Sequence, residues 1–332
     1  MTNLINGVGI HVLLNEANAA DVSDAQYFAL DLESFDLRQE EEISEWVRRQ
    51  PVPVIGVGDR DIAYALHMDL QVSNRRQLSQ LITAIEARPK ACAILVQVTR
   101  ITPELPANSA LIVESLAYST LQGGDEFQVW LTGYKQAIHR ELPAMVANPV
   151  TMDRKDSRLQ IRLNSPDNRN ALSVPMREGL TEAFKLVAMD SSIKEVDVSA
   201  DGPCFSSGGD LSEFGETSDV AEAHRIRQAR MPARYLVQAW HRYTFNLHGA
   251  CIGAGIELPA FAKHITATTD TWFRLPEIKM GLIPGAGGCV SIPRRIGRQR
   301  TNWMAITGEA LDAKTALEWG LVDRIVEAKD LE

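Results

Sequence analysis

The stretch Gly249-Ala-Cys-Ile-Gly-Ala-Gly-Ile-Glu257-Leu258 sets a glutamate in a glycine-rich frame, and a second glutamate follows twenty positions later in Phe273-Arg-Leu-Pro-Glu277-Ile278. The first frame is typical of a strand end, a turn and a helix that starts near Ala254. The N–H groups at a helix start have no partner within the helix, so a ligand atom can approach them where glycine and alanine leave room. Because positions i and i+3 are neighbours on a helix, we expect Glu257 on the same face as this opening.

A predicted hairpin brings the two glutamates together. His264–Thr268 is rich in β-branched residues and predicts a strand, and Trp272–Arg274 predicts a short return strand after a turn. Two carboxylates beside backbone donors suit acid/base chemistry on a carbonyl compound, provided that burial raises the pKa of at least one of them. The spacing alone also fits two solvated surface glutamates, Glu257 and Glu277.

A second glycine-rich loop supplies further backbone donors. Lys194–Ser199 predicts a strand, and it runs into the small, polar segment Asp201-Gly-Pro-Cys-Phe-Ser-Ser-Gly-Gly-Asp210. The Gly208-Gly209 pair leaves backbone N–H groups accessible, and Asp210 is a candidate helix cap. By itself this segment is an ordinary loop. Together with Ala254 it offers N–H donors from two separate segments, which is the layout of an oxyanion hole.

Six motifs follow one another in a fixed order through the C-terminal half. They are Leu163-Asn-Ser-Pro-Asp-Asn-Arg-Asn-Ala-Leu172, Phe205-Ser-Ser-Gly-Gly-Asp-Leu211, His248-Gly-Ala-Cys-Ile-Gly-Ala-Gly-Ile-Glu-Leu258, Leu275-Pro-Glu-Ile278, Gly281-Leu-Ile-Pro-Gly-Ala-Gly-Gly288, and Thr307-Gly-Glu309 through Trp319-Gly-Leu-Val322. Over about residues 150–328 this series resembles the crotonase family, the enoyl-CoA hydratase/isomerase superfamily. Each motif is a weak signal, and the ordered set is a strong one.

The resemblance implies an α/β fold, a right-handed spiral of βαβ turns, and a chemistry. The implied substrate is an acyl-CoA thioester, with coenzyme A as part of the substrate and no other cofactor. An enolate oxygen is held by the backbone N–H groups that match Gly209 and Ala254, and the two acid/base glutamates match Glu257 and Glu277. Keeping both glutamates favours hydration of a 2-enoyl-CoA. Isomerisation, hydrolysis of an acyl-CoA, and a non-catalytic acyl-CoA-binding or scaffold subunit are the alternatives.

The resemblance also implies substrate contacts and an assembly. Arg169 precedes the Asn-Ala-Leu segment, where the family places basic side chains near the CoA phosphates; a solvated loop residue is the alternative. The remaining predicted contacts to substrate or CoA are made by Ser207, Gly208, Gly255, Pro284 and Gly285. We expect Pro284–Gly288 to shape the pocket mouth and to start a helix. A homo-oligomer, a trimer or hexamer, is expected by resemblance.

Composition limits the other functions. The 332 residues are 45% hydrophobic, which suffices for substantial cores, and the formal net charge of −9 argues against nucleic-acid binding. No apolar run reaches bilayer length and the N-terminus does not have the pattern of a signal peptide, so we expect a cytoplasmic protein without membrane contact. The four cysteines have no metal-ligand spacing, which predicts free thiols and no metal site.

A basic run, Arg225-Ile-Arg-Gln-Ala-Arg230, lies in a predicted helix from Val220 to Trp240. The inward face of that helix would contain Ile226, Leu236, Val237 and Trp240. A solvated arginine face is the favoured interpretation, with binding of the CoA nucleotide as the alternative.

The first 150 residues require a separate hypothesis. Leu78–Glu86, Ala91–Val98, Ser109–Ser119 and Asp125–Trp130 are similar to the helical tail that follows the core in the family, and Pro51–Gly58 with Ile62–Leu70 echoes the strand and helix around 248–262. We therefore predict an N-terminal α/β region, residues 1–143, that is a degenerate half-core plus helical cap. A linker, 144–156, and a crotonase-like core, 157–332, follow. The alternative is an unrelated α/β domain.

Overall fold

The N-terminal part combines a small parallel sheet with a layer of helices in the computed structural model, which describes residues 25–34, 40–59, 67–137, 148–217 and 219–331. The strands are β1 (Phe28–Asp31), β2 (Val54–Val57) and β3 (Leu70–Val72), in the order β1-β2-β3. The helices are α1 (Glu40–Arg49), α2 (Arg75–Ala87), α3 (Pro89–Ile101), α4 (Ala107–Gln122) and α5 (Asp125–Ala137).

The C-terminal part contains two further sheets. Its strands are β4 (Val150–Lys155), β5 (Arg158–Leu163), β6 (Glu195–Ala200), β7 (Tyr243–Leu247), β8 (Ala250–Ile252), β9 (His264–Thr268), β10 (Trp272–Arg274), β11 (Leu311–Asp312) and β12 (Arg324–Val326). One sheet has the order β12-β9-β7-β6-β5-β4 and is parallel except for the β4/β5 pair, and the other has the order β11-β10-β8. The helices are α6 (Val174–Met189), α7 (Val220–Arg230), α8 (Ala233–Leu236), α9 (Ala254–Glu257), α10 (Gly288–Ile296), α11 (Arg298–Thr307) and α12 (Ala313–Trp319).

The sequence pattern explains which face of each strand is buried. In β5 every second residue is apolar, so Leu159, Ile161 and Leu163 are buried while the arginines and glutamine between them are exposed. On β7 the aromatic rings of Tyr243 and Phe245 pack on Phe184 of α6, with ring centroids 5.3 and 6.5 Å away. The mixed α/β architecture predicted from the sequence is confirmed.

The N-terminal helices pack on the C-terminal part of the same chain. Helices α2 and α3 contact α11, and α3 and α4 contact α10. Buried side chains hydrogen-bond across this contact: Thr102 Oγ1 donates to the Cys289 carbonyl at 2.6 Å, and Thr99 Oγ1 donates to Asn302 Oδ1 at 2.9 Å. Apolar residues of both parts form one continuous core. The helices thus cover the C-terminal part, as the cap hypothesis requires.

Three local predictions are wrong. Strands β9 and β10 do not form a hairpin, because β9 pairs with β7 and β12 while β10 pairs with β8 and β11. The helix expected from Val220 to Trp240 ends at Arg230, since Pro232 follows within two residues and only the short α8 comes after it. Its expected inward residue Trp240 is 49% exposed.

The third correction concerns the predicted linker 144–156. Residues 150–155 form β4, the edge strand of the six-stranded sheet, and its register pairs Val150 with Leu163 and Lys155 with Arg158. Part of the predicted linker, 138–147, lies outside the described residues, as does part of the predicted half-core echo, 60–66. A domain boundary at residue 143 and a degenerate half-core stay predictions.

Candidate active site

Two backbone N–H groups from separate segments face one cavity. Gly209 follows the loop after β6, and Ala254 is the first residue of α9. Strand-like hydrogen bonds hold the loop on β8, since Ser206 N–H donates to Ala250 O at 3.2 Å and Ile252 N–H donates to Ser206 O at 3.0 Å. Among the described residues, the Gly209 and Ala254 N–H groups have no hydrogen-bond acceptor. Both donors are therefore available to a ligand, and the oxyanion hole stays a prediction.

The turn before α9 depends on Gly253. Its φ of 50° and ψ of −122° is a conformation that a residue with a Cβ rarely adopts. The Gly253 carbonyl accepts from the N–H groups of Ile256 and Glu257 at 2.8 and 2.9 Å, which closes the helical turn. The helix start expected near Ala254 is confirmed.

Glu257 is buried and anchored by the loop before α10. Its Oε2 accepts hydrogen bonds from Ala286 N–H at 2.7 Å and Gly288 N–H at 2.9 Å. Its exposed fraction is 2%, and its other carboxylate oxygen points toward Gly253. The anchor fixes one oxygen and leaves the second to face the cavity.

Glu277 reaches the same point from the 3-10 turn Glu277–Met280 that follows β10. A Cβ placed on Gly253 would lie 2.5 Å from Glu277 Oε1 and 3.7 Å from Glu257 Oε1. The two carboxylates therefore converge beside Gly253. Glu277 Oε2 is enclosed and has no hydrogen-bond partner among the described residues. The glutamates come together through the parallel β8/β10 pairing, and not through the predicted hairpin.

Burial changes the proton affinity of both groups. Desolvation raises the pKa of Glu257 to about 7, although the amides of Ala286 and Gly288 stabilise its anion and oppose the rise. Desolvation, together with the charge of Glu257, raises the pKa of Glu277 well above its ordinary value. Because the amides favour ionisation of Glu257, we expect Glu257 to ionise before Glu277.

A third glutamate, Glu114 of α4, belongs to the same cluster. It is fully buried, and it accepts from Gly287 N–H at 2.7 Å through Oε1 and from Cys289 N–H at 2.8 Å through Oε2. The four consecutive amides 286–289 thus alternate between Glu257 and Glu114. Desolvation, and next the charge of Glu257, raises the pKa of Glu114 well above its ordinary value.

Helix α4 also contributes Tyr118 to the cavity wall. The Tyr118 ring packs on Gly285, where an added Cβ would lie 2.2 Å from the ring. The Arg227 guanidinium of α7 stands 4.2 Å from the Tyr118 ring centroid. It donates to Ser119 Oγ at 2.9 Å and to Gln122 Oε1 at 2.8 Å. The N-terminal helices therefore form part of the candidate site.

The two backbone donors, the glutamates Glu257 and Glu277, and the side chains of Tyr118 and Arg227 line one cavity of about 390 Å³. It has the size of a small-molecule pocket and combines backbone donors with acids whose pKa is raised. Its lining includes Tyr118, Gln122, Leu172, Val174, Arg177, Gly209, Asp210, Glu213, Phe214, Gly215, Glu216, Thr217, Ala223, Ile226, Arg227, Arg230, Met231, Pro232, Ala254, Glu257, Glu277, Gly285 and Ala286.

A profile described as enoyl-CoA hydratase/isomerase matches residues 153–332, more than half of the chain. The chain belongs to this family. Over 188 residues it is 32% identical to the mitochondrial Delta(3,5)-Delta(2,4)-dienoyl-CoA isomerase of Rattus norvegicus, with 52% of this chain and 57% of that protein covered. Over 175 residues it is 31% identical to the 2,3-dehydroadipyl-CoA hydratase of Escherichia coli, with 52% and 68% covered.

A solved structure, the enoyl-CoA hydratase from Thermoplasma volcanium, supports the same assignment. It matches with a TM-score of 0.51 at 27% identity and covers 55% of this chain and 73% of its own. The crotonase-like fold predicted from the sequence is confirmed. The matched part falls short of the full length of these relatives, and the enoyl-CoA hydratase/isomerase family includes both isomerases and hydratases.

Of the other predicted substrate contacts, one lines the cavity and five do not. Gly285 lines the cavity, whereas Arg169, Ser207, Gly208, Gly255 and Pro284 are not part of its lining. The Gly208 and Gly255 backbones make close approaches, because an added Cβ would lie 2.7 Å from Ile252 O and from Ser206 O respectively. These two glycines hold the loops together.

The remaining three contacts lie on the loops around the cavity. Arg169 has an exposed side chain, and its carbonyl accepts from Ser207 N–H at 3.0 Å. Pro284 O accepts from the Cys289 thiol at 3.3 Å. The predicted contact of Arg169 with CoA phosphates stays a prediction. Helix α10 begins at Gly288, as expected.

Sequence reasoning missed the roles of Glu114, Tyr118 and Arg227. A signal for Glu114 exists, since it lies on the apolar stripe of α4 with Ala110, Leu111 and Leu121, and a glutamate on such a stripe is buried only with partners. The interpretation of the basic run as a solvated face is wrong for Arg227, which is half-buried, lines the cavity and bonds to Ser119 and Gln122, and correct for Arg225, which is exposed and pairs with Glu222.

The cysteine thiols are enclosed within the protein. All four cysteines are free and buried, as predicted for free thiols, and burial raises the pKa of each. Within the described ranges no group of three His, Cys, Asp or Glu residues could hold a metal ion. None of the helices in those ranges has the length and apolarity needed to span a membrane.

Proposed function

We propose that this protein adds water to the double bond of a 2-enoyl-CoA. The convergence of Glu257 and Glu277 beside Gly253 carries the proposal, because it sets two acids next to the unpaired N–H groups of Gly209 and Ala254. A thioester oxygen between those donors would place the neighbouring carbons within reach of the acids. Each such donor is worth about 3 kcal/mol of transition-state stabilisation.

The reaction needs one ionised and one protonated glutamate. Glu257 is the base, since two amides stabilise its anion, and Glu277 is the acid, since burial and the nearby Glu257 charge keep its proton bound. Because the two carboxylates lie side by side in a buried site, their like charges disfavour ionisation of both. The proposed reactive state is therefore the one in which the pair holds a single proton.

In the proposed step, Glu257 accepts a proton from water while the water oxygen forms a bond to C3 of the enoyl group. The C2=C3 electron pair moves toward the thioester, and negative charge collects on its oxygen beside Gly209 and Ala254. Glu277 then delivers its proton to C2 and the carbonyl re-forms. The net change is addition of water, and transfer of a proton from Glu257 to Glu277 restores the starting state.

Isomerisation is the second candidate function, since the relatives include a dienoyl-CoA isomerase as well as a hydratase. The same acids could remove a proton from one carbon and return it to another. A purely structural subunit is disfavoured, because burial of Glu114, Glu257 and Glu277 opposes their ionisation and a scaffold gains nothing from such a cluster.

The test is turnover of 2-enoyl-CoAs of several chain lengths in ¹⁸O-labelled water, followed by mass spectrometry. We expect incorporation of the label at C3. Glu257→Gln and Glu277→Gln should each lower kcat by about 10²- to 10⁴-fold with a smaller change in KM. Glu195→Gln, an exposed glutamate paired with Arg158, is the control and should leave kcat unchanged.

Two results would contradict hydration. A shifted double bond without uptake of label would assign the site to isomerisation. Unchanged turnover in both glutamine variants would remove the acid/base roles.

A further inference from the structure

Three arginines line the cavity in addition to its glutamates, and they differ in their partners. Arg230 of α7 pairs with Glu178, with 2.6 Å between Nη1 and Oε1. The Arg177 guanidinium of α6 makes no hydrogen bond or ion pair with any residue that the structure describes. Among the described residues, Arg227 hydrogen-bonds to neutral oxygens alone, those of Ser115, Ser119 and Gln122, and its guanidinium lies over the Tyr118 ring.

Among the described residues, neither Asp210 nor Glu213 hydrogen-bonds to these two arginines, although the charge of Arg177 partly offsets the rise that burial causes in the pKa of Glu213. Asp210 accepts from Ser212 N–H at 3.0 Å through Oδ1 and from Asn168 Nδ2 at 3.1 Å through Oδ2, and Glu213 Oε1 accepts from Val174 N–H at 2.7 Å. Each of these carboxylates is thus used to hold a loop or a helix start.

A half-buried guanidinium without a hydrogen-bonded anion is unfavourable. Burial lowers the pKa of Arg227, and the charge of Arg177 lowers it further, while Glu114 and Tyr118 act in the opposite direction. Two guanidinium groups that repel each other at one cavity would both gain from a bound anion, because the planar fork of arginine matches a carboxylate through two hydrogen bonds.

We propose that Arg177 and Arg227 receive a carboxylate at the far end of the substrate's acyl group, so that the preferred substrate is an enoyl-CoA with an ω-carboxylate. This inference rests on the proposed function, which places the thioester at Gly209 and Ala254 in the same cavity. The cavity volume of about 390 Å³ is toward the lower end of the range for ligand pockets, so it suits an acyl group better than an acyl group with a nucleotide.

The experiment compares ligands of equal chain length that end in a carboxylate or in a methyl group. Saturated acyl-CoA analogues, which cannot be hydrated, are titrated by calorimetry, and the matching 2-enoyl-CoAs are assayed for kcat/KM. We expect the wild type to prefer the ω-carboxylated ligand by about 10- to 100-fold, the effect of a charge-assisted hydrogen bond. Arg177→Gln should remove most of this preference and Arg177→Lys should retain part of it.

Arg225→Gln is the matched control, because Arg225 lies on α7 near Arg227 but is exposed and paired with Glu222. It should keep the preference of the wild type. Arg227→Lys preserves the charge at the second position; it should weaken the preference without loss of the fold, which a melting curve checks.

Three results would overturn the proposal. The first is a wild type without preference for the carboxylate, and the second is an unchanged preference in Arg177→Gln. The third is equal weakening of both ligands in Arg177→Gln that disappears with pantetheine thioesters, which would assign the arginines to the CoA phosphates. If the calorimetric preference holds but no hydration occurs, the anion site stands and the proposed function fails.

Discussion

Glu257 and Glu114 bind the same loop from the two parts of the molecule. Glu257 comes from α9 of the C-terminal part and binds the amides of Ala286 and Gly288, while Glu114 comes from α4 of the N-terminal part and binds those of Gly287 and Cys289. Glu257 keeps one oxygen for the cavity, whereas both oxygens of Glu114 are used by the loop. One glutamate is placed to act on a ligand, and the other positions the backbone that holds it.

The two parts of the molecule therefore have different roles: the C-terminal part contains the candidate reacting groups, and the N-terminal part supports them. Every group assigned to the reaction lies in the C-terminal part, and the N-terminal helices enclose the cavity through Tyr118 and hold the 286–289 loop through Glu114. Because α10 and α11 carry apolar faces that pack against α2, α3 and α4, the C-terminal part should need its cover to fold as well as to react.

Removal of residues 1–140 is the strongest test of this division and should have the largest effect. The variant exposes the apolar sides of α10 and α11 and leaves the amides of Gly287 and Cys289 without Glu114. We expect an aggregated or inactive fragment, measured by size-exclusion chromatography and by hydration rate. A soluble fragment with full activity would show that the N-terminal part is dispensable.

Gly253→Ala should cause the next largest loss, and it acts on the C-terminal part alone. The added Cβ would meet Glu277 Oε1 at 2.5 Å, and the combination of φ 50° with ψ −122° is one that a residue with a Cβ rarely adopts. We expect kcat to fall about 100-fold through displacement of Glu277. Gly297→Ala is the control for strain, since its φ is 81° and no atom of the described residues lies within 4 Å of an added Cβ.

In Gly297→Ala the melting temperature should fall while kcat stays at the wild-type value. An equal loss of kcat in the two alanine variants would mean that backbone strain, and not the position of Glu277, causes the effect.

The two parts also differ in how many of their site residues could be predicted from the sequence. Glu257, Glu277, Gly209 and Ala254 stand within or beside short glycine-rich motifs, so local pattern together with the family resemblance was enough to single them out as candidates. The contact of Glu114 with Gly287 joins residues 173 positions apart, and it depends on how α4 packs on α10, which no local pattern specifies. The hairpin error has the same origin: the pairing of β10 with β8 is non-local.

Glu114→Gln tests whether Glu114 supports the loop 286–289, and it exposes no new surface. A glutamine offers one acceptor oxygen and an NH₂ donor, so either Gly287 N–H or Cys289 N–H would face a donor. We expect kcat to fall about 10-fold with little change in KM, as the loop and Glu257 shift. Steady-state kinetics measure both parameters.

Glu126→Gln is the matched control in the same part of the chain. Its carboxylate also binds two consecutive amides, those of Lys90 at 2.8 Å and Ala91 at 3.1 Å, but Glu126 does not line the cavity. Its kcat should be unchanged. Equal kcat in Glu114→Gln and the wild type would limit Glu114 to a role in folding.

The pH dependence of stability gives the smallest effect and tests the enclosure of Glu277, whose turn packs against α5 of the N-terminal part. Burial raises the pKa of Glu277 well above 4.5, so the folded protein retains a proton that the unfolded chain releases. The stability contributed by this group is therefore present below about pH 4.5 and is lost as the pH rises through the folded-state pKa.

The Glu277→Gln side chain does not titrate. The substitution loses few contacts, because Glu277 Oε2 has no hydrogen-bond partner among the described residues. Relative to the wild type, its melting temperature should increase by about 2 °C between pH 5 and pH 8. Thermal melts at both pH values measure this trend, and a constant offset for Glu277→Gln would mean that the N-terminal helices do not enclose this carboxylate.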